Sequence, residues 1–349
     1  MVSVWANNIP SKAAKKAWSI VQEGLTSSDS AIREQVVLGL EKVDDETADK
    51  SLLSALDDDS DYVRIWAARG LAKRGNPFGK RTLISIMSAR QETPKDDNNP
   101  LSALIKMRAM AQGRVRGEAA KTLGLLNDRE LIPMLKMAKR DNDGRVRDGA
   151  AVALAIMGDK SEGIIFASAI KDVDKAVRVA AVECLGAMKD PQTIQPITTL
   201  VRDPDEEVRA GAAKALGEIG TPESTDAVLR LVMDPSGMVQ ESAVRALGKI
   251  GSDKAIPALK SALKDPNSSV QLSAAEALGR IGDSSGLSQI EAALGSNDVD
   301  SRIRAAAVLG SIPDRAAQSL AIKTLDDGNI RVRLGAALSL LGPDKKRKE

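Results

Sequence analysis

Three stretches of this 349-residue chain carry residue types that could do chemistry. GNPFGKRT (75–82) sets two glycines and a lysine in the manner of a phosphate-cradling loop, where backbone N–H groups and an ammonium hold the anion. Its glycine spacing is one residue short, Arg81 stands where a hydroxyl should ligate magnesium, and no strand precedes it. A turn between repeats is expected there instead. DNDGRV (141–146) and DDGNIRV (326–332) have the Asp, Asn and Gly of a calcium loop but lack its third acidic ligand and closing Glu. Hairpin turns use the same residues for backbone reasons, and that is the role expected of them. Cys184 is the single cysteine and the chain contains no histidine. An internal disulfide is therefore excluded, a thiolate has no imidazole beside it, and the commonest metal ligand and general base are missing. Cys184 is expected to be a small buried apolar residue. No catalytic, cofactor or metal site is expected, and the chain is not expected to be an enzyme.

The elements that surround these stretches recur. VRIWAARGLA starts at Val63, VRGEAAKTLG at Val115, VRDGAAVALA at Val146, VRVAAVECLG at Val177, VRAGAAKALG at Val208 and VQESAVRALG at Val239. VQLSAAEALG follows at Val270, SRIRAAAVLG at Ser301 and VRLGAALSLL at Val332, with a weaker copy, IREQVVLGLE, at Ile32. Every step from 115 to 332 is 31 residues, as is the step from 32 to 63, whereas 63 to 115 is 52 and so contains 21 added residues. The first, fifth and ninth positions of each copy, such as Val208, Ala212 and Leu216, lie about one helical turn apart and form an apolar stripe. A shorter apolar-periodic stretch precedes each copy, for example AIPALKSALKD (255–265). Asp203-Pro204, Asp234-Pro235 and Asp265-Pro266 suit the starts of second helices, and Gly220, Gly251 and Gly282 suit their ends. Each 31-residue unit thus reads as a two-helix hairpin that buries its apolar face only by stacking on the next. Aromatics are 2% of the chain against 43% hydrophobic residues overall, so small and aliphatic side chains must fill the core. No apolar run approaches the ~18 residues needed to span a bilayer. MVSVWANNIP lacks the basic and apolar segments of a signal peptide. A cytoplasmic protein without membrane contact is expected.

The signature VRxxAAxALGxIG resembles HEAT repeats, particularly the short type also found in phycobilisome lyase subunits. An Asp precedes the Val by five residues (Asp58, Asp141, Asp172, Asp203, Asp234, Asp265, Asp327). The resemblance covers about residues 11–342 and implies an all-α, right-handed α-solenoid of about ten two-helix repeats, one domain with an insertion at about 91–112. Residues 343–349, a basic tail, are expected to be disordered. The resemblance further implies that the Asp and the Arg after the Val (Arg64, Arg116, Arg147, Arg178, Arg209, Arg302, Arg333) form a polar ladder between turns. Gln240 and Gln271 replace the Arg, and Met110 and Ser296 the Asp, so the ladder is expected to weaken there. Among enzymes of similar repeat type, a di-iron hydroxylase would need His-Glu motifs, which a chain without histidine cannot supply. A bilin lyase-like chaperone is a distant alternative, and a HEAT-like DNA glycosylase would need a basic groove lined with aromatics.

The resemblance also implies that the second helix of each pair lines a concave face. Positions two, six and ten after the Val are expected to point into that face. Leu125, Val152, Ile156 and Val179 are apolar there and form a candidate partner-binding strip, with burial between neighbouring helices as the alternative. Arg69, Lys73 and Lys121 share the face within a basic region: residues 62–121 hold 13 Lys or Arg against 4 Asp or Glu, a net of +9. Residues 44–61 hold one Lys against eight acids, and pairing between the two segments is the bland expectation. A partner with an acidic segment is the sharper one, with nucleic acid as the alternative despite the overall charge of +2 and few stacking aromatics. Within the insertion, QETPKDDNNP reads as a loop, and Asn99-Pro100 opens a helix that enters the repeat about ten residues early. Leu101, Leu104, Ile105, Met107 and Met110, with Lys106 and Arg108, ride on this extension as candidate contacts. The last helix, Val332 to Leu341, has no following repeat in sequence and is a candidate self-association surface. The chain is therefore expected to be a non-enzymatic protein-binding scaffold.

Overall fold

The computed structural model describes residues 9–89 and 102–342, and every regular element among them is helical. The loop and helix start expected over 91–100, the side chains of Leu101 and Leu104, and the 343–349 tail lie outside the described residues. In chain order the helices begin with α1 (Ser11–Leu25), α2 (Ser30–Leu40), α3 (Glu46–Ser54), α4 (Asp61–Lys73) and α5 (Pro77–Ser88). Next come α6 (Ser102–Gly124), α7 (Ile132–Ala138), α8 (Gly144–Ile156), α9 (Lys160–Ala169) and α10 (Lys175–Met188). Then follow α11 (Ile194–Thr199), α12 (Glu206–Ile219), α13 (Thr225–Leu229), α14 (Gly237–Ile250) and α15 (Ile256–Ala262). The chain ends with α16 (Ser268–Ile281), α17 (Leu287–Leu294), α18 (Val299–Val308), α19 (Arg315–Thr324) and α20 (Ile330–Leu341).

The repeats fold as the stripe dictates. Val208, Ala212 and Leu216 are wholly buried, as are Val239, Ala243 and Leu247 one repeat later. Second helices such as α12 and α14 approach closely because a glycine of one meets an alanine of the next. A Cβ on Gly217 would lie 2.7 Å from the Cα of Ala246, and the same contact joins Gly186 to Ala215 and Gly248 to Ala277. Helix ends also follow the sequence: Gly220, with φ of 70°, closes α12 in the left-handed conformation that an L side chain resists. Helix starts differ from expectation. Asp205, Ser236 and Asn267 are the N-caps of α12, α14 and α16, immediately after the Asp-Pro pairs. The reason is that Asp203 and Asp234 spend their carboxylates on arginines of the preceding repeat.

Residues 46–163 form one compact unit and residues 1–45 with 164–349 another. The core of the first gathers Ile65, Leu83, Val115, Leu123, Leu135 and Leu154 from successive hairpins. GNPFGKRT lies within this unit and is mostly helix, not a turn: Gly75 turns the chain, Asn76 accepts a hydrogen bond from the Phe78 N–H at 3.0 Å, and α5 starts at Pro77. Gly79 lets α5 press on α4, since a Cβ there would sit 2.3 Å from the Ala68 carbonyl oxygen.

In the second unit the last helix is not open. The first hairpin, α1 and α2, packs on α20 in the place a further repeat would take. Leu334 lies against Gly24 and Leu338 against Gly39, where any Cβ would collide with the leucine. Arg333 forms an ion pair with Glu23 at 2.6 Å, and Gln35 donates to the Arg331 carbonyl at 3.1 Å. The self-association surface expected on α20 is thus corrected: its apolar face is buried within the chain, because the missing neighbour is supplied by residues some 300 positions earlier.

Candidate functional site

The polar ladder has a repeated geometry. Arg209 donates from Nε and a terminal nitrogen to both oxygens of Asp234 at 2.8 and 2.9 Å, and to the Asp203 carbonyl of its own turn at 2.9 Å. Asp234 also accepts from the Ser236 N–H at 2.9 Å. Burial opposes ionisation of Asp234, but the Arg209 hydrogen bonds outweigh it and hold the carboxyl below its ordinary range. Arg178 with Asp203 and Arg302 with Asp327 repeat the rung, and Arg116 reaches Asp141 likewise. The acids of the two calcium-like loops are therefore rung and cap residues: Asp141 and Asp327 meet arginines, while Asp143 and Asn329 cap α8 and α20. Gln271 keeps only the bond to its own turn, donating to the Asp265 carbonyl at 2.6 Å. Cys184 is buried at an alanine position.

Removing the ladder and the stripe from consideration leaves a narrow arc of each second helix facing solvent. At about 100° per residue, positions six and ten after the repeat residue lie near 240° and 280° from it. Among them Lys214, Arg245, Ala307 and Leu38 at position six, and Lys249, Arg280 and Lys42 at position ten, are exposed. Glu276 and Leu338 at position six and Glu218 at position ten are half-buried, and Val152 at position six is buried. Position two was expected on the same face, yet Ile65, Ala210, Leu272 and Leu334 are buried. Position two sits near 200°, where the adjacent second helix already covers the backbone.

In the unit of residues 1–45 with 164–349 these arcs line two adjoining cavities. The first, about 280 Å³, is bordered by Lys214, Arg245, Lys249 and Arg280 with Glu276 as the one carboxylate, plus small residues such as Ser242 and Ala277. The second, about 460 Å³, shares Glu276 and Arg280 and continues over Ala307, Ser311, Pro313 and Leu338 to Leu38 and Lys42. The cations of the first cavity pair with carboxylates, two across neighbouring helices and two within their own helix. Lys214 meets Glu183 at 3.1 Å, Arg245 meets Glu241 at 2.7 Å, Arg280 meets Glu276 at 2.8 Å, and Lys249 contacts Glu218. Burial disfavours the Glu218 carboxylate, but Lys249 and the nearby Lys189 and Lys214 hold its pKa below the ordinary value.

The sequence-derived candidates are distributed otherwise. Val152 is only 9% exposed and Ile156 half-buried, while Leu125 is exposed, all three in the unit of residues 46–163. Val179 is half-buried in the other unit. Val152 offers a partner little surface because α8 is packed against α6 and α7. Arg69 lies over the Trp66 ring at 4.6 Å, Lys121 is half-buried and Lys73 exposed. The acidic and basic segments do meet where Arg74 contacts Asp49. Past the insertion α6 runs unbroken from Ser102 to Gly124. Met107 is 68% and Met110 49% exposed, Lys106 and Arg108 are exposed and Ile105 is half-buried. Sequence reading did not bring Leu38 and Lys42 beside Leu338. A one-dimensional period carries no signal for a contact between the two ends of the array.

These stacked helix pairs define an all-α, right-handed solenoid. The chain belongs to the HEAT-repeat family: matches to the family described as HEAT repeats cover residues 6–92, 101–166, 164–237 and 228–307. No curated protein matches it. Similar solved structures include human deoxyhypusine hydroxylase, 17% identical over 77% of this chain and 97% of that one, with a TM-score of 0.35. The complex of CpcE and CpcF of phycocyanin lyase from Nostoc sp. PCC7120 is 19% identical over 76% and 93%, with a TM-score of 0.40. Kap121p is 15% identical over 95% of this chain and 46% of its own, with a TM-score of 0.45. At these identities the likeness is one of fold. Among the described residues no helix is long and apolar enough to cross a membrane.

Proposed function

We propose that this chain is a binding scaffold that holds a protein partner along the groove made by α12, α14, α16, α18, α20 and α2. The observation that carries the reading is the division of labour within each repeat. Stripe, glycine contact and rung recur with little change, whereas positions six and ten differ from repeat to repeat and line two connected cavities. Positions released from packing give each repeat its own surface, which is how a solenoid acquires a specific partner. The test compares capture by the intact chain with capture by an Arg245→Glu, Lys249→Glu variant whose helical circular dichroism is unchanged. A partner retained by the intact chain and lost by the variant is expected; a partner held equally by both places the binding surface elsewhere.

A further inference from the structure

The two cavities differ in chemistry, and the difference specifies a ligand. Four cations and one carboxylate border the first, and each cation touches a carboxylate, three of which stand outside the lining. The pairs Arg245–Glu241 and Arg280–Glu276 are exposed contacts one helical turn apart on a single helix. Such pairs are weak, so an incoming carboxylate can replace the resident one at little cost. The second cavity is uncharged through its middle, where Ala307, Ser311, Pro313 and Leu338 form the floor, and it ends at Lys42. The Lys42 ammonium has no carboxylate partner among the described residues. Leu38 belongs to α2 and Lys42 to the turn that follows it, so this end of the trough exists only because the first hairpin docks on α20.

We propose that the groove takes a short extended peptide whose acidic run lies over α12, α14 and α16. Its bulky apolar residues fill the trough over α18 and α20, and a closing acidic group meets Lys42. This rests on the scaffold reading above and names the chemistry of its partner. From α16 through α18 and α20 to α2 are three steps between neighbouring helices, about 25–30 Å, which about eight extended residues span. The lining of both cavities contains no aromatic side chain, so a nucleic acid would find phosphate contacts but no platform for its bases.

The test measures fluorescence anisotropy of labelled peptides with the full chain. One probe carries a run of Glu, then Leu and Phe, then a terminal Asp; a second has Lys in place of every acid, and a third has Ser in place of Leu and Phe. The first probe is expected to bind at least about tenfold more tightly than either of the others. Ala307→Trp, at an exposed position, is expected to weaken the first probe by about tenfold and leave the third unchanged. Lys42→Glu is expected to weaken both the first and the third. Equal binding of the acidic and basic probes overturns the proposal, as does binding of single-stranded oligo(dT) that is tighter than that of the first probe and falls steeply with salt. A random peptide library selected on the same chain separates the two levels. Binders that are sensitive to Ala307→Trp but lack acidic residues overturn the proposed chemistry and leave the scaffold. A library without any groove-sensitive binder removes the scaffold reading as well.

Discussion

Arg209 and Arg64 occupy the same place in their repeats and do different things. Arg209 spans to Asp234 of the next hairpin with two good hydrogen bonds, both side chains being largely buried. Arg64 holds the carbonyl of Asp58 in its own turn at 2.6 Å, as Arg209 holds that of Asp203, but its other contact is Asp61 on its own helix. Met110 stands where the rung needs an Asp, and α6 runs helical through that point instead of turning. Arg116 responds to the same interruption by donating to the Met87 carbonyl at the end of α5. The repeat therefore supplies half of each rung, and the following hairpin decides whether the charge joins two layers or stays local.

Breaking an intact rung should have the largest effect. Asp234→Ala leaves the Arg209 guanidinium buried without its carboxylate and removes the acceptor for the Ser236 N–H, at a cost of about 3 kcal/mol. Arg64→Ala, which removes a partly exposed contact within one helix, should cost less than about 1 kcal/mol. Urea denaturation followed by circular dichroism measures both, and equal losses would show that the rung adds nothing across the layers.

Acid should separate carboxylates held by their surroundings from those that are not. Asp283 follows α16, off the ladder. The Ser285 hydroxyl bonds it, burial opposes, and Lys260 at 2.9 Å adds to the hold, lowering its pKa from 3.8 to about 2. Because the folded value lies below the unfolded one, the stability it contributes is complete above 3.8 and is lost as pH falls through that value towards 2. The linkage is worth about 2 kcal/mol. Asp283→Asn should flatten the stability of the chain over this window, and an unchanged acid transition would contradict the assignment.

The rungs and the stripe were legible because each is a local pattern repeated at 31 residues: the Leu of Leu216 recurs in all ten copies, and the Val of Val208 and the Arg of Arg209 in eight each. Two features were not. The docking of α1 on α20 uses Glu23 for Arg333, yet by phase the Asp position of that repeat is Ser27, so the repeat signature fails where the ends of the array meet. Burial at position two was also missed, since a helical wheel shows the side opposite the stripe but not the neighbours that flank the helix. Ile65 and Leu272 lie where such flanking decides.

A rung can also be restored, with a smaller effect. Gln240 replaces the Arg while its partner position, Asp265, is intact, so Gln240→Arg should complete the geometry of Arg209 and Asp234 and add about 1 kcal/mol. Gln271→Arg faces Ser296, which has no charge to offer, and should add nothing. If both substitutions stabilise equally, the gain comes from helix propensity and not from the rung.

The smallest effect is expected on the extension of α6. Within this one helix Val115 and Leu123 are buried in the hairpin core, whereas Met107 and Met110 stand largely in solvent two turns earlier. A methionine in water has already forgone its burial energy, so replacing it by serine removes no packing. Met107→Ser with Met110→Ser should change stability by less than about 0.5 kcal/mol. A loss of about 2 kcal/mol would mean that these side chains are covered when the protein is in solution, and the extension would then belong to the fold and not to its surface.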